Sequence, residues 1–279
     1  MASTRPIVFI TGANTGIGLE AVKAFLRSPA TTTGYHILLG SRSPEKGQAA
    51  IASLQAEFPA ASPTTLELIQ IDVTSDASIQ AAFESISARH PHIDALVNNA
   101  GAVFDHWLDT PANEEKLSLR DTLLRTFDVN VAGAHVVTHT FIPLLLKSPP
   151  SSRRLLFVTS GLSSLKSAAE HFLPPPHDVA PPLGWPKEGF QLTLGYRSSK
   201  AGLNMLMLGW RHALQGDGVK TWCLSPGFLA TGLGGDVERL KRMGGGDPAL
   251  GGEFIRDVVD GGRDRDSGKV ITRFGVQDW

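Results

Sequence analysis

The sequence has little cysteine and no long apolar run. Its single cysteine, Cys223, cannot form an intramolecular disulfide bond, which fits a reducing compartment. No apolar run approaches the roughly 18 residues that a membrane-spanning helix needs. Near the first residue, only residues 7–10 form an apolar stretch, and this is too short for the core of a signal peptide. We therefore expect a cytoplasmic protein with no membrane partner.

The sequence also lacks an excess of charge of either sign. It has 26 lysines and arginines against 27 aspartates and glutamates, and these charges are scattered rather than striped. We therefore expect no nucleic-acid partner. The 279 residues are 42% hydrophobic, enough to bury a large core. Because α/β domains of roughly 250 residues are common and no long linker divides the chain, we expect one domain over residues 1–279.

Short β-branched runs alternate with longer amphipathic stretches along most of the chain. Strands that are apolar on both faces and separated by helices are typical of a parallel sheet covered on both sides. Right-handed crossovers then give a doubly wound, Rossmann-type α/β fold with about seven strands. The pattern predicts strands over 7–11, 35–40, 66–71, 95–98, 155–159, 219–224 and 269–272, and helices over 17–28, 45–57, 76–89, 121–147, 198–214 and 248–259.

Two regions interrupt this alternation. Residues 161–195 contain six of the 18 prolines, which exclude a long helix or a central strand where they cluster. The glycine-rich stretch 232–252 predicts a loop with a short helix over 237–243.

The first strand is followed by a glycine-rich turn that opens a helix. Its sequence is Thr11-Gly-Ala-Asn-Thr-Gly-Ile-Gly18, so the spacing is Gly-x-x-x-Gly-x-Gly rather than the common G-x-G-x-x-G. Three glycines let the backbone approach a pyrophosphate, and the helix N-terminus supplies free N–H groups and partial positive charge. A tight turn without a ligand is the alternative.

Further motifs follow this turn in a fixed order. They are Asp72-Val73 after the third strand, Asn98-Asn99-Ala100-Gly101 after the fourth, Asn130-Val131-Ala132-Gly133 on the next helix, Ser160 after the fifth strand, Tyr196-Arg197-Ser198-Ser199-Lys200, and Pro226-Gly227 with Thr231. Together with the glycine turn, these motifs resemble the short-chain dehydrogenase/reductase superfamily over residues 5–232. The resemblance implies hydride transfer between a nicotinamide cofactor and a small carbonyl or alcohol substrate, with no metal.

The resemblance also implies a catalytic group of four side chains. Tyr196 acts as the acid in reduction and as the base in oxidation, and Ser160 hydrogen-bonds the substrate oxygen. Lys200 lies one helical turn from Tyr196, where its ammonium would favour the phenolate and lower the phenol pKa. Lys200 also holds the nicotinamide ribose, and Asn130 supports a water chain that relays protons to Lys200.

The interval between Ser160 and Tyr196 departs from the family pattern. It spans 35 residues where the family has about a dozen, and Ser163 is an alternative to Ser160. The long interval resembles the carbonyl-reductase branch, as do residues 47–50 and Trp279. An inserted segment over 161–195 would line the substrate cleft. It would also stand near the helices through which family members associate, so the choice between a monomer and a homo-oligomer stays open.

The residues after the second strand indicate which cofactor is bound. Here Gly40-Ser41-Arg42-Ser43 replaces the acidic residue that binds the ribose hydroxyls in NAD enzymes. A guanidinium binds a 2′-phosphate, so we expect NADP(H), with Ser41 as a further donor; a solvated Arg42 is the alternative. The resemblance implies cofactor contacts from Gly12, Asn14, Thr15, Gly16, Ile17, Gly18, Ser41, Arg42, Asp72, Val73, Asn99, Ala100, Gly101, Arg125, Tyr196, Lys200, Pro226, Gly227, Leu229 and Thr231. For Arg125, a place on the solvent-exposed surface is equally compatible with the sequence.

Two functions of different classes are carried forward. The first is an NADP(H)-dependent ketone or aldehyde reductase, equivalently an alcohol dehydrogenase. The second is a cofactor-binding regulatory or scaffold protein with weak catalysis. Six aromatic residues would give the pocket an apolar lining suited to bulky or polycyclic carbonyl compounds, including those of secondary metabolism: Phe104, Trp107, Phe172, Trp185, Phe190 and Phe228. The pair His135 and His139 has zinc-like spacing but lacks the neighbouring glutamate of a metalloprotease, so we predict no metal site.

Overall fold

An eight-stranded sheet forms the centre of the computed structural model, which describes residues 5–27, 34–58, 63–105, 117–172, 183–185 and 193–279. The strand order is β3-β2-β1-β4-β5-β6-β7-β8, and all neighbouring strands are parallel except the pair β7 and β8. The predicted doubly wound α/β fold is therefore confirmed. The strands are β1 (Ile7–Ile10), β2 (His36–Ser41), β3 (Thr65–Gln70), β4 (Ala95–Asn98), β5 (Arg154–Val158), β6 (Lys220–Ser225), β7 (Val270–Thr272) and β8 (Gly275–Val276).

The helices between the strands begin at capping residues that the sequence supplies. Ser43 accepts from the Lys46 N–H at the start of α2, and Ser118 forms a capping box with Asp121 at the start of α4. The helices are α1 (Gly16–Arg27), α2 (Pro44–Glu57), α3 (Asp76–Ser87), α4 (Leu119–Phe127), α5 (Ala134–Leu145), α6 (Leu165–Glu170), α7 (Leu194–Leu214), α8 (Val237–Arg242) and α9 (Ala249–Val259). Among the described residues, no helix is long and apolar enough to cross a membrane.

Three sequence predictions need correction. The single helix predicted over 121–147 is α4 and α5 joined by a π-helical segment, Asp128–Gly133, where Gly133 packs directly against the carbonyl of Val73. Helix α7 begins at Leu194 rather than at 198. The two-residue strand β8 is an eighth strand, too short to produce a hydrophobic pattern. Within 161–195, the structure describes 161–172, 183–185 and 193–195; the remaining positions lie outside the described residues.

The sheet separates two layers of core because side chains alternate along each strand. Phe9 and Leu38 face one layer, together with Phe141 of α5. Val8 and Ile10 face the other layer, together with Phe25 of α1. All of these side chains are fully buried.

The site lies where the strand order reverses. β1 is flanked by β2 on one side and by β4 on the other, so the loops that leave the carboxyl ends of β1 and β4 diverge to opposite faces. Such a switch point opens a crevice at the carboxyl edge of a parallel sheet. The glycine turn follows β1, the Asn99 loop follows β4, and Ser160 follows β5, so all three motifs are brought to this edge.

The contact between α1 and α9 generates a prediction about stability. A Cβ atom on Gly252 would lie 2.6 Å from the backbone N of Ala21 and closer still to the carbonyl of Glu20. We expect Gly252→Ala to lower the free energy of unfolding by about 1–3 kcal/mol through overpacking. Gly209→Ala is the control, because a Cβ there meets nothing within 4 Å and alanine raises helix stability by up to about 1 kcal/mol. Urea unfolding measures both, and equal effects of the two changes would contradict the packing argument.

Candidate active site

The glycine turn between β1 and α1 has the geometry of an anion site. Gly12 and Gly16 have φ values of 62° and 57°, in the left-handed region that favours glycine. The first bond of α1 runs from Leu19 N to Thr15 O, so the preceding N–H groups have no acceptor within the helix. The first turn carries no acidic residue. This arrangement fits the diphosphate of a dinucleotide cofactor.

Asn99 holds the glycine turn in place from the neighbouring loop. Its side-chain amide donates to the carbonyls of Thr11 (2.9 Å) and Gly12 (3.0 Å). The Thr11 hydroxyl accepts from the N–H groups of Asn99 and Ala100, each at 3.0 Å. The Asn99 amide thus donates both of its hydrogen bonds to the protein, and Asn99 therefore supports the conformation of the glycine turn.

Two polar side chains stand at the end of β2, the guanidinium of Arg42 and the hydroxyl of Ser41. Arg42 is exposed, and within the described part of the chain no carboxylate pairs with it. The buried Ser41 hydroxyl donates to the carbonyl of Ser43 at 2.8 Å, and Glu45 accepts from the Ser43 hydroxyl at 2.7 Å. Arg42 is therefore available to an anionic group, whereas the Ser41 hydroxyl already has an acceptor.

The loop after β6 packs against the glycine turn. The Cβ atom of Thr231 lies 4.0 Å from the position that a Cβ on Gly16 would take. The side chains of Leu229 and Ile17 both approach Gly251 of α9. This loop therefore brings Leu229 and Thr231 to the predicted cofactor site.

Three other predicted cofactor residues have roles within the fold. The carbonyl of Pro226 accepts from the guanidinium of Arg273 at 3.2 Å, and Gly227 has a φ value of 100°. The Asp72 carboxylate caps its own turn by accepting from the N–H (3.0 Å) and hydroxyl (2.8 Å) of Thr74.

Arg125 is exposed on α4 and lines a surface groove with Phe127, His135 and Leu206. The sequence is compatible with Arg125 at the cofactor or on the surface, and its exposure on α4 favours the surface.

Tyr196, Ser160 and Lys200 meet at the end of β5. The Ser160 hydroxyl lies near enough to the Tyr196 phenol to lower its pKa, and the ammonium of Lys200 lies 5.7 Å from the centre of the tyrosine ring. Lys200 is buried, and its Nζ donates to the carbonyl of Val158 at 2.9 Å. The predicted i, i+4 pairing therefore places both side chains on one face of α7.

Burial disfavours the charged forms of both Tyr196 and Lys200. It raises the pKa of Tyr196 above its usual range, and the hydrogen bond from Ser160 opposes this rise. Burial lowers the pKa of Lys200 to about 8. The expected lowering of the tyrosine pKa by Lys200 is therefore not found in the protein alone, where the Lys200 ammonium points to a backbone carbonyl.

Asn130 joins the loop after β4 to α7. Its Oδ1 accepts from Ala102 N at 2.9 Å, while its Nδ2 donates to Ala102 O and to the Ser199 hydroxyl, each at 2.9 Å. A Cβ on Gly101 would lie 3.2 Å from Asn130 Oδ1 and 3.4 Å from Lys200 Nζ. Asn130 and Lys200 thus border the same small space beside Gly101.

The two candidate serines have different surroundings. Ser163 is buried; its hydroxyl donates to the carbonyl of Ser160 (2.6 Å) and accepts from the amides of Asn204 (2.9 Å) and Gln277 (3.2 Å). Ser160 is partly exposed and contacts Tyr196. The geometry favours Ser160 as the substrate contact and gives Ser163 a supporting place. Asn204 and Gln277 carried no motif that singled them out in the sequence.

Asp105 is another residue that the sequence analysis missed. Its carboxylate accepts from the backbone N–H groups of Gly195 at 2.6 Å and Tyr196 at 2.9 Å. No local pattern could identify it, because its partners lie 90 and 91 positions away.

The aromatic residues predicted for the pocket are partly described. The ring of Phe172 lies under the guanidinium of Arg197 at 4.3 Å. Trp185 and Phe228 are 82% and 53% exposed. Phe104 is partly buried, and Trp107 and Phe190 lie outside the described residues.

Histidines form two groups outside this site. The rings of His135 and His139 lie 5.4 Å and 6.4 Å from Trp210, so they belong to an aromatic cluster on the helix surface. His36 and His90 both bond one carboxylate oxygen of Glu67, whose other oxygen pairs with Arg89 at 2.7 Å. This group of four is internally hydrogen-bonded and charge-paired.

Comparison with known proteins gives consistent matches along most of the chain. A family model described as short chain dehydrogenase matches residues 6–171. The chain is 43% identical over 277 residues to the short-chain dehydrogenase/reductase tropE of Talaromyces stipitatus, covering 98% of this chain and 97% of that protein. It is 42% identical over 286 residues to the short-chain dehydrogenase/reductase eupG of a Phoma species, covering 100% and 99%.

A solved structure shows the same fold at lower identity. The crystal structure of NADPH-bound carbonyl reductase from chicken fatty liver matches with a TM-score of 0.74 and 24% identity, covering 99% of each chain. The family model and the fungal relatives together show that the chain belongs to the short-chain dehydrogenase/reductase family.

Proposed function

We propose that this protein is an NADP(H)-dependent reductase of ketones or aldehydes, able to run in reverse as an alcohol dehydrogenase. The observation that carries the proposal is the meeting of three side chains: the hydroxyl of Ser160 faces the phenol of Tyr196, and Lys200 lies on the same face of α7 as Tyr196. The pair of hydroxyl groups stands at the carboxyl edge of the sheet, to which the glycine turn also belongs. Membership of an oxidoreductase family supports the same reaction class.

The two hydroxyl groups bind the carbonyl oxygen of the substrate. When bound, the cofactor supplies the hydride. As negative charge develops on the substrate oxygen, Tyr196 Oη donates its proton to it and Ser160 Oγ donates a hydrogen bond. In the direction of oxidation, the same tyrosine oxygen accepts the proton from the alcohol.

The role of Lys200 concerns the proton transfer from Tyr196 rather than the binding of the substrate. Its pKa of about 8 leaves it largely protonated at neutral pH. Its charge stabilises the phenolate that forms at Tyr196, because the ammonium lies 5.7 Å from the centre of the tyrosine ring and opposite charges attract more strongly in a buried site than in water. Asn130 holds Ala102 and Ser199 and thereby keeps the loop after β4 in register with α7.

The end of β2 supports the preference for NADP(H). The exposed guanidinium of Arg42 would form paired, charge-assisted hydrogen bonds with a 2′-phosphate. The structurally similar carbonyl reductase from chicken fatty liver has NADPH bound, which supports the same assignment.

For the substrate we propose a bulky, apolar carbonyl compound. The exposed aromatic rings of Trp185 and Phe228 support this class, because exposed apolar rings can pack against an apolar ligand. Aromatic ketones, quinones and aldehydes form the assay panel, with consumption of NADPH as the signal.

Tyr196→Phe tests the mechanism. The change removes one hydroxyl and almost no volume, so folding and NADPH binding should persist. Without its proton donor, kcat should fall about 10²–10⁴-fold. Turnover by NADPH consumption and cofactor affinity by fluorescence titration measure the two effects. Near-normal turnover would overturn the mechanism and favour a cofactor-binding protein of the same fold.

The two serines provide a matched pair of variants. We expect Ser160→Ala to lower kcat about 10–10³-fold, because it removes one donor to the developing oxyanion. Ser163→Ala should mainly lower the thermal midpoint, since Ser163 bonds Asn204 and Gln277 within the protein. Steady-state kinetics and thermal unfolding on both variants separate these outcomes. The reverse ranking of kcat would move the substrate contact to Ser163.

Arg42→Asp tests the choice of cofactor. We expect NADPH binding to weaken by about 1.5–3 kcal/mol, the contribution of a hydrogen bond to a charged group. Binding of NADH should change much less, because it lacks the 2′-phosphate. Titration of both cofactors into the wild type and the variant measures the difference. Unchanged NADPH affinity would contradict the assignment.

A further inference from the structure

The helix that carries Tyr196 is capped from a distant part of the chain. Its N-cap residue, Thr193, has left-handed backbone angles (φ 44°, ψ 43°) and makes no side-chain capping bond. The first bond within α7 runs from Arg197 N to Thr193 O at 3.0 Å. The N–H groups of Gly195 and Tyr196 therefore have no acceptor within the helix. Asp105 accepts from both, one with each carboxylate oxygen.

The carboxylate of Asp105 lies where a side chain at position 195 would begin, and Gly195 leaves this space free. A Cβ at this position would lie 3.0 Å from Asp105 Oδ1 and 3.2 Å from Oδ2, tighter than ordinary contact. Any other residue at 195 would therefore push the carboxylate away from the helix. The glycine and the aspartate form a complementary pair although they are 90 positions apart.

Asp105 is itself anchored on the cofactor side of the site. Three residues earlier, the backbone of Ala102 is held at both its N–H and its carbonyl by Asn130. The carboxylate thus connects the loop after β4 to the first turn of α7. An ionised carboxylate at a helix N-terminus is favourable because of the partial positive charge there, and charge-assisted hydrogen bonds are strong.

We propose that Asp105 is a positioning residue, whose carboxylate fixes the backbone of Tyr196 so that the phenol meets Ser160 and the substrate oxygen. This inference rests on the proposed function of Tyr196. Asp105 touches only backbone N–H groups and takes no part in proton transfer. Its effect on rate arises because a misplacement of about 1 Å at a reacting group costs on the order of 10²-fold.

Asp105→Asn is the direct test, since the amide keeps the shape but replaces one acceptor oxygen by a donor that faces an N–H group. We expect kcat to fall about 10–10²-fold, with the affinity for NADPH unchanged. Asp121→Asn is the matched control, because that carboxylate caps α4 by accepting from Ser118 N at 3.1 Å. The control should keep the wild-type kcat. Normal kcat in Asp105→Asn, or equal loss in both variants, would overturn the proposal.

A double-mutant cycle separates positioning from a general structural effect. In the Tyr196→Phe background, Asp105→Asn should lower the residual rate no further, because the group that it positions is gone. The same fold-loss in both backgrounds would show a structural role and overturn the proposal. Gly195→Ala provides a second variant with the charge intact, and it should reproduce the kcat loss by displacing the carboxylate.

A titration of the protein without cofactor gives a readout independent of activity. The chain has two tyrosines, and the other one, Tyr35, donates to Asp260. In a Tyr35→Phe background, tyrosinate absorbance therefore reports Tyr196 alone. In Asp105→Asn its midpoint should fall towards the ordinary value of about 10, because the partly buried ring becomes more exposed. An unchanged midpoint would count against the proposal. Normal turnover in Tyr196→Phe would instead sink the proposed function, whereas loss there with normal Asp105→Asn would sink only the positioning role.

Discussion

The site depends on how closely the loop after β4 approaches the glycine turn. The Asn99 amide donates to two carbonyls of that turn, and the Thr11 hydroxyl accepts from two N–H groups of the Asn99 loop. Each buried backbone group left without a partner would cost about 1–3 kcal/mol. This contact also explains Gly18, since a Cβ there would lie 2.5 Å from the Asn99 amide nitrogen. Part of the glycine pattern is therefore imposed by protein packing and not by a ligand.

The same loop transmits this placement to α7, the helix that carries Tyr196. From Asn99 the chain passes Ala102, which Asn130 holds, and reaches Asp105, which caps α7. On another side of that first turn, the Arg197 guanidinium stacks on Phe172, where the proline-rich segment begins. The turn that carries Tyr196 is thus held from two segments, the loop after β4 and the start of the proline-rich segment. Changes in those segments would reach Tyr196 through the backbone N–H groups that Asp105 holds and through the stack of Arg197 on Phe172.

The features that were predictable from the sequence are those encoded over short distances. The strands of the parallel sheet appear as apolar runs, the glycine turn as a local motif, and Tyr196 and Lys200 as an i, i+4 pair. The features that were missed depend on partners far along the chain. Asp105 is recognisable only once α7 lies beside it, and the start of α7 at Leu194 follows from that cap. The π-helical segment ends at Gly133, which packs against the carbonyl of Val73, a contact that no periodicity reveals.

The two opposed pKa shifts have a consequence for catalysis. A lone ammonium at Lys200 is costly in its buried place, which is why its pKa falls to about 8 although the Val158 carbonyl accepts from it. A lone phenolate at Tyr196 is costly for the same reason. In the proposed reaction, however, the phenol gives up its proton beside a protonated Lys200, whose ammonium lies 5.7 Å from the centre of the ring, so two opposite charges come near each other. Their attraction then offsets part of both burial penalties, so the state after proton transfer is stabilised more than the resting state. Differential stabilisation of this kind lowers a barrier, whereas equal stabilisation of both states would leave it unchanged.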